Sequence, residues 1–159
     1  MGLLLLGHIA LLPALGALVW WDQHHHRLPD WLTLPSLGMS GLWVALLATS
    51  TGEHIAHAAA VALLGTVIGL WLLAEAPGQP LGFGDVKLGA VLALHLGVYD
   101  PQFVVLWLAL ACVIGGVQAI WGLVTRRLGP DDHIAFGPAL IISWMSTLVL
   151  AQTVPPPAT

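Results

Sequence analysis

The sequence predicts an all-α polytopic membrane protein with about six transmembrane helices in one compact bundle. Hydrophobic residues make up 58% of the 159 residues and charged residues only 8%, whereas a soluble domain carries about 25% charged residues. The apolar residues also cluster in stretches near the length of about 20 residues that crosses a bilayer as a helix. Short polar segments separate these stretches, so we expect antiparallel neighbours and a single transmembrane domain over residues 1–159.

The six apolar stretches are 2–21, 32–50, 55–74, 86–99, 103–125 and 134–153. The first lacks a basic start and ends in Trp20-Trp21-Asp22 instead of a small-residue cleavage site, so we interpret it as a retained helix and not as a signal peptide. The fourth spans only about 21 Å as a helix at the usual rise. It crosses only where the membrane is thin or where neighbouring helices shelter its start.

The basic residues predict the orientation in the membrane. Every Lys and Arg lies in or beside the first, third or fifth connection, namely Arg27, Lys87, Arg126 and Arg127. The positive-inside rule places these connections in the cytoplasm and both termini outside. The formal net charge is −4, and no basic tract typical of nucleic-acid binding is present, so that class of partner is excluded.

Small residues within the spans predict close contacts between helices, which lipid-embedded bundles achieve in this way. They include Gly65, Gly69, Gly115, Gly116 and the alanine-rich run 56–62. Cys112 is the single cysteine, so it cannot form an internal disulfide. We expect it to be a small buried packing residue.

Two acidic residues stand at the ends of predicted spans, where an ionisable group is costly and calls for a purpose. Asp22 ends the first span, and Asp85 begins the fourth within the segment 82–87, Gly-Phe-Gly-Asp-Val-Lys. Both fall at the cytoplasmic boundary of the predicted topology, where they could form a pair. Taken singly, Asp22 could be an interfacial acid and Asp85 a helix N-cap.

Paired carboxylates about 3 Å apart share one proton and can hydrolyse a peptide bond without a metal or cofactor. The ionised one activates water and the protonated one polarises the carbonyl group. Helix dipoles should raise the pKa of Asp22 and lower that of Asp85, making Asp85 the base. Gly82 and Gly84 lack Cβ atoms, which would permit a sharp turn and a close approach to an extended substrate.

Other polar residues allow two interpretations each. Consecutive residues such as His24–His26 rarely converge on one ion, so we expect no metal site there. His8 and His95 lie within spans and are functional candidates by position, although hydrogen-bonded packing is favoured. Lys87 could reach the lipid headgroups or tune the pKa of Asp85.

Three stretches together resemble the type IV prepilin peptidase family, membrane aspartyl proteases of the GxGD type. They are Asp22 followed by R-L-P-D-W-L-T-L-P at 27–35, G-F-G-D-V-K-L at 82–88, and I-A-F-G-P-A-L at 134–140. The resemblance covers about Leu11 to Leu150 and departs from the family at Ala135, where proline is usual. It implies catalytic roles for Asp22 and Asp85, and supporting roles for Gly82, Gly84, Lys87, Gly137 and Pro138.

The resemblance also implies substrates and a location. Family substrates are prepilins or pseudopilins of type IV pili, type II secretion or competence systems, which carry a short basic leader before an apolar helix. They are cut at the cytoplasmic face of the bacterial inner membrane. Acidic residues could attract such a leader or simply confer solubility, namely Asp30, Glu75, Asp131 and Asp132.

Longer family members begin with a cytoplasmic segment, often with C-x-x-C pairs, that is associated with N-methylation. This sequence starts in the first span and has no C-x-x-C, so we expect a peptidase without methyltransferase activity. Two alternatives remain. One is an intramembrane protease of the presenilin or signal peptide peptidase type, which places its first aspartate in a Y-D pair, and the other is a non-enzymatic membrane scaffold or transport subunit.

Overall fold

A computed structural model describes residues 2–25, 28–76, 81–125 and 136–153. Within these ranges the chain forms six helices and no β-strand, which confirms the all-α prediction. The helices are α1 (Gly2–His25), α2 (Asp30–Thr51), α3 (Glu53–Ala74), α4 (Phe83–Gly97), α5 (Gln102–Val124) and α6 (Gly137–Thr153). The start of the predicted span 134–153 lies outside the described residues.

Among the described residues, four helices are long and apolar enough to cross a membrane: α1, α2, α3 and α5. This supports a multi-pass membrane protein. The other two helices are shorter, because α4 has 15 residues and α6 has 17. At the usual rise of 1.5 Å per residue, α4 is about 22 Å long, so the expectation of a short fourth helix is confirmed.

The short helix α4 occupies the interior of the bundle. It packs against α2, α3, α5 and α6, and every residue from Leu88 to Val98 is buried. A helix enclosed by protein on all sides does not need to match the thickness of the hydrocarbon layer. The burial of α4 therefore explains how a 15-residue helix fits a membrane bundle.

Close packing by small residues is confirmed at the α3–α4 contact and at Gly115, where an added Cβ atom would lie 2.5 Å from the Phe136 ring, but not at every glycine of the spans. A Cβ atom added to Gly97 would lie 2.8 Å from the Cα atom of Ala59, so the alanine-rich face of α3 meets the backbone of α4. In contrast, Gly65, Gly69 and Gly116 have nothing within 4 Å of an added Cβ atom. The expectation for Cys112 is also wrong, since it is exposed on the outside of α5. In a helix that is apolar all round, composition does not reveal which face is buried.

One end of the bundle gathers the end of α1 and the starts of α2, α4 and α6. There Leu28 lies against Gly84, and Gly137 lies against Asp22. Lys87 of α4 forms an ion pair with Asp30 of α2. The two predicted site aspartates therefore belong to the same end of the structure.

Candidate active site

Asp22 lies in the last turn of α1 and is 5% exposed. The helix continues four residues past the predicted limit at 21, to His25. His24 and His25 donate Nδ1–H hydrogen bonds to the carbonyl oxygens of Trp20 and Trp21, at 2.7 and 3.3 Å. Each bond runs back to the carbonyl group four residues earlier, so both imidazoles lie along the last turn of the helix. Asp22 consequently projects from an ordered helix into the bundle.

Asp85 lies in the first turn of α4 and is partly buried. The interpretation of Asp85 as the N-cap is wrong, because the cap position is Gly82. The backbone N–H of Asp85 donates to the Gly82 carbonyl oxygen at 3.0 Å, and the backbone N–H of Gly82 hydrogen-bonds to the Asp85 carboxylate. The carboxylate is thus held at the start of the helix, just before the predicted span 86–99.

The two aspartates interact electrostatically. Burial raises the pKa of Asp85 above its usual range, the negative charge of Asp22 raises it further, and the Gly82 hydrogen bond opposes these effects. The expectation that the helix N-terminus lowers this pKa is wrong, because desolvation and a nearby like charge outweigh the helix dipole here. Two carboxylates in this relation tend to hold one proton between them.

Gly137 brings the start of α6 against Asp22. A Cβ atom at residue 137 would lie 2.5 Å from the Asp22 Oδ2 atom, which is closer than real Cβ contacts allow. Gly137 and the neighbouring Pro138 are both buried. A Cβ atom at residue 137 would therefore displace either the Asp22 carboxylate or the start of α6.

Gly84 serves a comparable close approach, between α4 and the connection that follows α1. A Cβ atom at residue 84 would lie 2.9 Å from the Leu28 Cβ atom and 3.2 Å from the Leu28 backbone nitrogen. Gly82 is different, since its φ and ψ of −78° and 147° are open to any residue. The sharp turn expected at Gly82 is therefore not found. The close approach at Gly84 is to Leu28 of the same chain, whereas we expected an approach to the substrate.

Lys87 pairs with Asp30 instead of extending alone toward the headgroups. This partner was missed by sequence reasoning, which assigned Asp30 only to the acidic loops. Pro29 fixes the position of Asp30 by capping α2, since its carbonyl oxygen accepts hydrogen bonds from the N–H groups of Leu32 and Thr33, both at 3.1 Å. The pair thus ties the start of α4 to the start of α2.

The exposure of this ion pair predicts a small contribution to stability. The side chains of Lys87 and Asp30 are 37% and 61% exposed, and exposed pairs contribute at most about 1 kcal/mol. Lys87→Gln and Asp30→Asn should each change the free energy of unfolding in detergent by no more than this amount. A loss of several kcal/mol in either variant would contradict the assignment of a solvated pair.

Several residues of the predicted motifs and topology lie outside the described ranges. They are His26, Arg27, Arg126, Arg127, Asp131, Asp132, Ile134 and Ala135. The proposed attraction of a basic leader by Asp131 and Asp132 stays a prediction. Of the four basic residues that predict the orientation, the structure describes Lys87, which lies at the same end of the bundle as the aspartates.

Comparison with known proteins identifies the family to which the chain belongs. A model of the type IV leader peptidase family matches residues 9–120, a range that includes both aspartates. The chain is 34% identical over 146 residues to a prepilin leader peptidase/N-methyltransferase of Neisseria gonorrhoeae, covering 87% of this chain and 46% of the relative. It is 35% identical over 156 residues to a protein of the same name from Pectobacterium carotovorum, covering 94% and 53%.

A third relative of that name, from Burkholderia pseudomallei, is 33% identical over 150 residues, with 89% of this chain and 44% of the relative covered. The chain spans about half the length of the curated relatives it matches. No solved structure gives a significant match. The family match extends over most of the chain, and the chain therefore belongs to the type IV leader peptidase family.

Proposed function

We propose that this chain is a membrane aspartyl endopeptidase that removes the basic leader from prepilins or pseudopilins, with Asp22 and Asp85 as its catalytic pair. The observation that carries the proposal is the electrostatic interaction between these two carboxylates, which are 63 positions apart in sequence and lie at one end of the bundle. Membership of the leader peptidase family and the names of the relatives support the substrate class.

In the proposed mechanism Asp85 carries the shared proton at rest, because burial and the Asp22 charge favour its neutral form. Ionised Asp22 takes a proton from a water molecule, whose oxygen attacks the carbonyl carbon of the leader junction. The Asp85 proton moves to the carbonyl oxygen and gives a neutral diol. As the C–N bond breaks, the proton on Asp22 passes to the leaving amine and a diol proton returns to Asp85, which restores the starting state.

Substrate access at this site fits a polar leader joined to an apolar helix. Gly82 and Phe83 beside Asp85 are exposed, so we place the approach of the substrate at this end of the bundle. Trp31, at the start of α2, is also exposed and packs edge-on against Trp21, with ring centroids 5.9 Å apart. Tryptophan is typical of the membrane–water interface, which supports a cut beside the bilayer. By the positive-inside tendency, we assign this end to the cytoplasmic face.

The proposal is tested by reconstituting the full chain in lipid vesicles with a prepilin substrate and determining the cut position by mass spectrometry. We expect one cut at the junction between the basic leader and the apolar helix. Cleavage within the apolar helix would instead indicate a presenilin-like protease. Failure to cleave by a folded, correctly inserted protein would favour a non-enzymatic role in the membrane.

A shared proton predicts a two-sided pH profile for this cleavage. At low pH the pair binds a second proton and loses its base, and at high pH it loses its only proton and its acid. Because the pKa of Asp85 is raised, activity should persist well above pH 4, near which an ordinary aspartate titrates. Initial rates measured across pH, with folding checked by circular dichroism, test this. A rate that keeps rising after both carboxyls have ionised would contradict the shared proton.

A further inference from the structure

Helices α1 and α4 run antiparallel, and their facing side chains follow matching patterns. Both series advance in alternating steps of three and four residues, which lines up side chains on one face of a helix. We call these two facing lines of side chains the seam, and the backbone of α1 itself packs closely on α2 and α6. In α1 the series is His8, Leu11, Leu15, Leu18 and Asp22, and from α4 onward it is Asp85, Leu88, Leu92, His95 and Tyr99. The leucines belong to one core cluster. The aspartates lie at one end of this seam and a second polar group lies at the other.

This second polar group is a buried hydrogen-bonded chain of four side chains. His8 Nδ1 and His95 Nδ1 are 2.8 Å apart, and His8 Nε2 is 3.0 Å from the Tyr99 hydroxyl. His95 Nε2 is 3.0 Å from the hydroxyl of Ser40 in α2. His8 and His95 are 5% and 1% exposed. All four ring nitrogens therefore have a partner.

Neutral imidazoles satisfy all four ring nitrogens of this chain. In one arrangement the Tyr99 hydroxyl donates to His8 Nε2, His8 Nδ1–H donates to His95 Nδ1, and His95 Nε2–H donates to the Ser40 oxygen. Reversing every donor gives a second consistent arrangement. A buried polar network in which each member is satisfied favours one arrangement of its helices, because any displacement leaves polar atoms without partners.

Trp43 of α2 makes further contacts with α1 and α4 beside the hydrogen bond between His8 and His95. The Trp43 ring stacks on His95, with centroids 4.5 Å apart and planes at 12°, and its Nε1–H donates to the Leu3 carbonyl oxygen at 2.8 Å. Gly7 lies so close to the Trp43 indole that a Cβ atom has no space there. The outer half of α1 is thus located by specific contacts.

Apolar packing holds α1 less firmly in this region. A half-open groove of about 250 Å³ lies between α1 and α2, with His95 and Ser40 in its wall. Another of about 190 Å³ lies between α1 and α6, with His8 in its wall. Because the neighbouring helices leave space on both sides of α1, the hydrogen bond between His8 and His95 contributes more to fixing the position of α1.

We propose that His8 and His95 are positioning residues that set the register of α1 against α4 and thereby hold Asp22 opposite Asp85. Buried polar partners are known to specify register between packed helices. A slip of one turn would move Asp22 by about 5.4 Å along the helix axis and separate it from Asp85. The catalytic consequence of this inference, the placing of Asp22 opposite Asp85 for cleavage, rests on the proposed function. Its structural consequence is the register of α1 against α4.

Two substitutions of His95 separate the two bonds that it makes. Asparagine places its amide near the position of Nδ1, so His95→Asn keeps a partner for His8 and loses the one for Ser40. Glutamine places its amide near Nε2, so His95→Gln keeps Ser40 and loses His8. His95→Leu removes both bonds. Thr147→Val is the matched control, since Thr147 is buried and donates only to the Ser143 carbonyl oxygen within α6.

The register is measured on the full chain with Cys112→Ser and spin labels attached at His25→Cys and Phe83→Cys, near the aspartate end of each helix. His95→Leu and His95→Gln should displace or broaden the distance distribution by several ångströms, up to about 5.4 Å for one turn. His95→Asn and Thr147→Val should keep the distribution of the parent. If His95→Leu does not fold, the asparagine and glutamine variants decide.

The catalytic consequence is measured on the unlabelled chain with the same substitutions. For His95→Leu and His95→Gln we expect kcat for leader removal to fall about 100-fold with little change in KM, as for a misplaced catalytic group. Native distances in folded His95→Leu and His95→Gln would overturn the register proposal. Displaced helices with native kcat would overturn the positioning role. If the parent chain itself does not cleave, the proposed function fails, and the distances still decide the register.

Discussion

Asp22→Asn and Asp85→Asn should each lower the rate of leader removal by at least about 1,000-fold. Removing a positioned acid or base costs about 10²–10⁴-fold, and each aspartate serves in both steps of the proposed reaction. Asparagine keeps the shape of the side chain and cannot ionise, so the loss is chemical. Asparagine is neutral, and burial and the Asp22 charge already favour the neutral form of Asp85. Neither substitution should therefore destabilise the fold by adding charge.

The matched control is Asp100→Asn, at the opposite end of α4. Its Oδ1 atom accepts a hydrogen bond from the Gln102 backbone N–H at 2.7 Å, and asparagine retains that acceptor. This variant should cleave at the rate of the parent chain. Initial rates in vesicles, together with thermal unfolding of each variant, provide the comparison. Normal cleavage by folded Asp22→Asn or Asp85→Asn would exclude that residue from the reaction.

Gly137→Ala should lower kcat about 100-fold. Its Cβ atom would lie 2.5 Å from the Asp22 Oδ2 atom, so the carboxylate or the start of α6 must move. A displacement of about 1 Å in a catalytic group can cost about 100-fold in rate. The residue does not take part in the chemistry, so the fall should come from geometry, with KM little changed.

Gly116→Ala provides the control for this substitution. It lies within a helix and has nothing within 4 Å of an added Cβ atom, so alanine should be tolerated and should stabilise the helix slightly. Steady-state kinetics of both variants with one prepilin substrate provide the test. Equal activity of Gly137→Ala and the parent chain would show that Asp22 does not need the close approach of α6.

The helices were predictable because their apolar stretches are long and bounded by polar residues, and each of the six has a counterpart in the structure. Their ends were less predictable, since local hydrogen bonds decide them. His24 and His25 at the end of α1 bond to the carbonyl groups of Trp20 and Trp21 in the preceding turn, and Gly82 caps α4 at the start. Neither effect alters the hydrophobic pattern.

The inward faces were not predictable from composition. Helices in lipid are apolar on all sides, so the exposed Cys112 and the buried His95 stand in equally hydrophobic surroundings in sequence. Long-range partners are hidden for the same reason. Lys87 pairs with Asp30 and His8 meets His95 only because the antiparallel helices bring them together. The pKa direction of Asp85 depends on burial and on Asp22, which the helix dipole alone did not reveal.

A double-mutant cycle of leader-removal rates for the parent chain, Asp22→Asn, Asp85→Asn and the double variant tests most directly whether the two aspartates act together. Groups that act as one catalytic unit give strongly non-additive losses. We expect the double variant to be about as slow as either single variant, because one substitution already disables the pair. Losses that multiply in the double variant, or a single folded variant that cleaves normally, would contradict a shared dyad of Asp22 and Asp85.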